Sequence, residues 1–157
     1  MKSVALLALA LAALPATAAP PSTPVQTISF ETGPCFGACP VYRLHVNSDG
    51  SGTFEGLRFT AFTGTRAFRA TPAQYRAFAR RLEPLRPARG TIRYDGEACH
   101  AIATDQPSAQ VTWRSRRGTQ SLHFYYGCDM ERNRAIAQRL TEAPALLPIG
   151  DFIRPRR

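Results

Sequence analysis

Lysine is all but missing from this chain: Lys2 is the only one, so every later basic side chain is an arginine. With abundant alanine and proline, that bias reads as the codon habit of a GC-rich genome. It accounts for much of the net charge of +9 without invoking an anionic ligand. Nucleic acid is therefore not an expected partner. Methionine is equally scarce. Beyond Met1 there is only Met130, so a thioether-rich copper site is excluded. Phosphate-loop and dinucleotide motifs are absent, as are an EF-hand repeat and a second C-x2-4-C knuckle. No long apolar run follows the first fifteen residues, so no membrane-spanning segment is expected in the mature chain. Ser51 lies in "DGSGT", a hairpin turn rather than a strand-to-helix elbow, and makes a poor nucleophile.

The N-terminus carries the strongest positive signal. Lys2 precedes "VALLALALAAL", an apolar core too short to span a bilayer, and Ala16 and Ala18 occupy the −3 and −1 positions of an A-x-A cut site. Residues 1–18 are expected to be a cleaved Sec signal without a lipidated cysteine, and 19–24 a Pro-rich leader. Residues 25–153 are expected to form one domain and 154–157 a basic tail. The expected location is periplasmic or secreted.

Within the domain, "VQTISFE" (25–31) reads as a first strand. "VYRLHVN" (41–47) alternates Tyr42, Leu44 and Val46 against Arg43 and His45. Asp49-Gly50 predicts a hairpin turn into a third strand, with short strands expected over 57–62 and 65–70. Thr71-Pro72 supplies an N-cap and first-turn proline for a helix that buries Tyr75, Phe78, Ala79 and Leu82 and ends before Pro84 and Pro87. Residues 91–108 read as loop with one short extended piece near 99–103. A hairpin follows over 109–126, with Val111 and Trp113 inward on its first arm and Leu122, Phe124 and Tyr126 inward on its second. Asp129 is expected to cap a second helix over 130–142. The fold class is α+β: an antiparallel sheet of about five to seven short strands with two helices on one face.

Four cysteines in an exported chain read first as two disulfides, Cys35–Cys39 and Cys99–Cys128, although four allow three connectivities. The first would shape the turn at Gly37. The second would enclose about 30 residues, a chain-entropy stabilisation of roughly 3.5 kcal/mol. Thiol chemistry has less support, because Pro40 and a strand follow Cys39 and no helix N-terminus faces either sulfur. A zinc site would need Cys35, Cys39, Cys99 and either His100 or Cys128. His100 adjoins Cys99 and points away from it on an extended chain, which argues against a catalytic pair. Asp95, Glu97 and Asp105 share one loop region without a regular cation-binding repeat.

The segment Cys35-Phe-Gly-Ala-Cys-Pro-Val-Tyr42, the Asp-Gly turn, Thr104-Asp-Gln-Pro107 and the closing hairpin with its helix together resemble a bacterial exported family, domain of unknown function 6438. The outline spans residues 26–142. Cys99 and Cys128 fall outside its pattern, and the resemblance brings no catalytic or binding residue with it.

One surface carries a functional expectation. If helices cover the apolar sheet face, the opposite face gathers Arg43, His45, Arg114, Arg116, His123 and Tyr125. Such a face suits an envelope protein, an anionic glycan or a lipid head group. The expected role is a non-catalytic binding or interaction module that needs no cofactor or metal. The alternative is a thiol-redox or zinc-dependent activity centred on Cys35 and Cys39.

Overall fold

The computed structural model describes residues 26–154. The expected signal segment, the leader and the tail past Arg154 lie outside the described residues. The domain is a seven-stranded sheet in the order β4-β3-β2-β1-β6-β7-β5 with its helices on one face. β1 (Thr27–Thr32), β2 (Val41–Asn47), β3 (Ser51–Arg58) and β4 (Gly64–Arg69) form an antiparallel meander. β6 (Ser108–Ser115) and β7 (Gly118–Tyr125) form the second hairpin, and β6 pairs back onto β1. The alternation read in the sequence is what builds the core. Ile28, Phe30, Leu44, Val46, Val111, Trp113, Leu122 and Phe124 all face the helices and are buried.

α1 (Pro72–Leu82) starts where expected. The Thr71 hydroxyl accepts from the Gln74 amide, and the Gln74 side chain accepts in turn from the Thr71 amide. This closes a capping box whose loss costs about 1 kcal/mol. Tyr75, Phe78 and Leu82 bury its inner face. α2 (Arg134–Glu142) adds Leu140 to the same core. Glu142 then forms an ion pair with Arg81, which ties the two helices at their outer edge. The final apolar stretch makes a 3-10 turn (Ala143–Leu146) and a short α3 (Gly150–Ile153), whose Phe152 packs on Phe54 and Phe62.

Four sequence expectations need correction. No separate strand covers 57–62: Leu57 and Arg58 complete β3, and the chain then turns through Phe59, which has φ of 55°. Residues 90–94, read as loop, form β5 (Gly90–Tyr94), which pairs parallel to β7 and closes the sheet edge. Its five exposed or half-buried residues leave no apolar alternation for the sequence to display. Asp129 does not cap α2, which begins four residues later than expected. Its carboxylate accepts instead from the His100 and Ala101 amides, and its φ of 42° turns the chain away from a helical path. The extended piece near 99–103 is reduced to a single antiparallel bridge between Ile102 and Cys128.

Both expected disulfides are formed, Cys35–Cys39 and Cys99–Cys128, and no described cysteine is free. The second joins residues 29 apart and fixes the loop after β5 to the end of β7. Replacing Cys99 and Cys128 together by serine is expected to cost about 3.5 kcal/mol of unfolding free energy, against about 2 kcal/mol for the Cys35/Cys39 double replacement, because the shorter loop restricts less unfolded chain. Chemical denaturation of both variants checks the order.

Candidate functional site

The sheet face opposite the helices is uncovered, and its residues line up in rows set by strand register. One row reads Glu55, Arg43, Glu31, Gln110, His123, Arg93 across six strands. The next reads Thr53, His45, Ser29, Thr112, Ser121, Thr91, and a third places Asn47, Thr27, Arg114 and Thr119 side by side. Arg43, His45, Arg114, His123 and Tyr125 therefore do share a face, whereas Arg116 lies past the end of β6 in the turn to β7.

The charges on this face are largely answered from within it. Arg43 bridges Glu31 at 3.1 Å and Glu55 at 3.3 Å, and these two carboxylates hold its guanidinium above the usual arginine range. Arg93 pairs with Asp95, whose carboxylate also lies 3.3 Å from His123 Nε2. Burial and the Arg93 charge nevertheless hold the His123 pKa below 6.5, because Asp95 only partly offsets them. The Ser29 hydroxyl hydrogen-bonds His45 Nδ1 at 2.7 Å. The Tyr125 hydroxyl donates to Ala103 O and accepts from the Gln106 amide, so it serves as a tether for the loop before β6. What remains is a flat, hydroxyl-rich surface with interleaved charges of both signs, a poor match for a ligand that is only anionic.

A second site forms at the end of the sheet where β1 finishes and β2 begins. Pro40 has no N–H to offer the ladder, and Thr32 replaces the missing pairing. Its hydroxyl donates to Pro40 O at 2.8 Å and accepts from the Tyr42 amide at 3.0 Å. Gly37, with φ of 126°, lets the cysteine loop close on itself, and Phe36 projects from that loop with 88 % of its surface exposed. The Gly33 amide donates to Ser108 O and the Phe36 amide to Asp105 O, which fastens the loop to the 104–107 segment. Asp105 adopts φ of 65° there, a conformation its short polar side chain tolerates.

Behind these two loops lies a cleft of about 330 Å³, bordered by Cys39, Pro40, Pro107, Pro144, Tyr42 and Tyr126, among others. Tyr42 is 5 % exposed and stacks between Phe30 and Phe54, with ring centroids 6.4 and 5.1 Å away. Burial, reinforced by the neighbouring Tyr126, pushes its phenol far above the ordinary tyrosine range, so it stays neutral. Burial raises Tyr126 as well, while a 3.4 Å hydrogen bond from the Thr141 hydroxyl opposes the shift. Sequence reading missed this cleft because it took Tyr42 and Tyr126 as core and never brought Pro107 or Thr141 to them. The available signal was the pairing of Cys35–Tyr42 with Thr104–Pro107, both of which carry the family resemblance and both of which border the cleft.

Asp129 is the third organised point. The two backbone N–H groups it accepts hold its carboxyl below the usual carboxylate range. The depressed acid contributes stability that is present above its ordinary value of 3.8 and lost as the pH falls through its folded value. The depressed histidine acts higher: below 6.5 the unfolded chain takes up a proton that His123 in the fold resists. Thermal unfolding followed from pH 8 to pH 3 should therefore show stability falling in two stages. His123→Gln is expected to remove the first and Asp129→Asn to reduce the second.

Among the described residues, no group of three or more histidine, cysteine or carboxylate side chains is arranged to hold a metal ion. Comparison with curated proteins and with solved structures finds no significant match to either. A family model does match, over residues 26–144, and it contains both loops of the cleft, the open sheet face and all of α2. The chain belongs to the family described as Domain of unknown function (DUF6438).

Proposed function

We propose that the protein is an exported, disulfide-stapled binding domain without catalytic activity, and that it recognises its ligand at the end of the sheet where the cysteine loop meets the 104–107 segment. The observation that carries this reading is the convergence of Cys35–Tyr42 and Thr104–Pro107 on one cleft, joined by the Phe36 amide and Asp105 O. Both segments support ligand binding better than they support chemistry. The cysteines are oxidised, and Pro40 and β2 follow Cys39 directly, so no helix dipole would favour a thiolate there. A phenol held far above its usual range cannot serve as a general base near neutral pH. Two disulfides suit an oxidising compartment, and no helix among the described residues is long and apolar enough to cross a membrane.

The sheet face supports a secondary role in docking a protein partner of the envelope. Its alternating Glu55, Arg43, Glu31 row would recognise a complementary row of charges, and a lipid head group or anionic glycan would meet the carboxylates as well.

Intact mass of the protein recovered from its exporting cell, with and without an alkylating reagent and before any reductant, tests the choice between binding and thiol chemistry. The mass of two disulfides and no added label is expected. Alkylation at Cys35 or Cys39 would overturn the reading in favour of a redox centre.

A further inference from the structure

The cleft beside the cysteine loop carries more information than its position, because its polar groups are not all satisfied. Thr32 has committed its hydroxyl as donor to Pro40 O and as acceptor to the Tyr42 amide. Tyr126 accepts from Thr141, which leaves its own phenol hydrogen without an acceptor among the described residues. Among the described residues, the Tyr42 hydroxyl has no hydrogen-bond partner either. It is not sealed off, since Trp113 Nε1 is the one enclosed side-chain polar atom without a partner among the described residues. Tyr42 borders the cleft, the opening through which its hydroxyl could meet a ligand. A phenol on a side chain 95 % removed from solvent, stacked on both sides and lacking an internal acceptor, is an unusual thing to leave in a fold. The neighbouring Tyr126 phenol, whose charge Tyr42 would feel, brings a second donor to the same space.

The rest of the lining narrows what could fill it. Among the described residues, no arginine, lysine, histidine or carboxylate borders the cleft, so an ionised ligand group would lose its hydration without gaining a counter-charge from them. Three proline rings and two tyrosine rings give rigid, mostly apolar walls. The volume lies at the small end of the range for small-molecule sites, which suits a single ring with short substituents.

Building on the cleft as the recognition site, we propose that it binds a small, uncharged, ring-bearing molecule with a carbonyl oxygen, which takes hydrogen bonds from the Tyr42 and Tyr126 hydroxyls. The rings of Pro40, Pro107 and Pro144 enclose its apolar body. Tyr42 supplies the discrimination, because an unmet buried donor penalises a ligand of equal shape that lacks the oxygen.

Ligand-observed NMR and thermal shift on the full folded protein, with both disulfides intact, test this with three probes of closely similar shape: 4-methylacetophenone, 4-isopropenyltoluene and 4-methylbenzoate. The ketone is expected to bind about tenfold more tightly than the hydrocarbon, and the carboxylate most weakly. Tyr42→Phe should remove most of the ketone's advantage, weakening the ketone while the hydrocarbon, no longer facing an unmet donor there, binds as well or slightly better, with an unfolding temperature that shows the variant is folded. Thr141→Trp, which places bulk at the border of the cleft from the exposed face of α2, should block both. If ketone and hydrocarbon bind equally and Thr141→Trp still blocks them, the ligand class is wrong while the site stands. Preference for the carboxylate likewise overturns the class alone. If no probe binds, or binding ignores Thr141→Trp, the cleft is not the recognition site and both readings fail.

Discussion

The pairing of β1 with β6 is the interaction on which the rest of this domain depends. The chain builds two antiparallel units far apart in sequence, the β1–β4 meander and the β6–β7 hairpin. Their backbones meet along one seam, from Thr27 opposite Arg114 to Thr32 opposite Ala109. That register sets which side chains face the helices. A slip of one residue would turn Ile28, Phe30, Val111 and Trp113 outward, at a cost comparable to the whole stability of a small domain. The seam also runs past the strands. Gly33 continues it to Ser108 and Phe36 to Asp105, so the cysteine loop is an extension of the central pairing rather than a free excursion.

The two disulfides and the distribution of charge follow from that frame. Cys35–Cys39 holds the loop in the shape that lets the Phe36 amide reach Asp105, while Cys99–Cys128 holds the incoming segment against the end of β7. Neither bridge needs a chemical role to explain its place. The basic composition behaves similarly. Arg43, Arg81, Arg86, Arg93, Arg134 and Arg154 each face a carboxylate, so these six sit in local pairs at the surface, while the net charge of +9 rests on the other basic side chains. Exposed pairs of this kind add little stability. On the open face they set carboxylates among the arginines, so positive charge there is interleaved rather than uniform.

Most of the fold could be read from residue order, because the strands that matter alternate cleanly and α1 opens with an unambiguous Thr71-Pro72 start. The errors fell where local chemistry was overruled by distant partners. β5 has no alternation, since it lies at a sheet edge and is held by the parallel backbone of β7. Asp129 has the composition of a helix cap, yet the amides of residues 100 and 101, which precede it by nearly thirty positions, capture its carboxylate. The site was legible in part. Five of the six side chains expected on the open face do share it, because strand alternation fixes sides. What each one touches depends on register, so sequence alone could not show that Glu31 and Glu55 flank Arg43 or that Tyr125 is committed to a loop. The cleft was hidden for the same reason: its walls come from β1, β2, the start of β6, α2, α3 and the segments beside them, which only the central seam brings together.

The central claim is that the cysteine loop and the 104–107 segment form one pre-built wall. Amide hydrogen exchange at Phe36 tests it most directly, because that amide belongs to the most exposed aromatic side chain described yet donates across the junction to Asp105 O at 3.1 Å. The account predicts that the Phe36 amide exchanges slowly, in step with Gly33 and the ends of β1 and β6, while its loop neighbours Gly37 and Ala38 exchange freely. A Phe36 amide that exchanges as fast as Ala38 would show that the two segments are not joined, and would contradict the account.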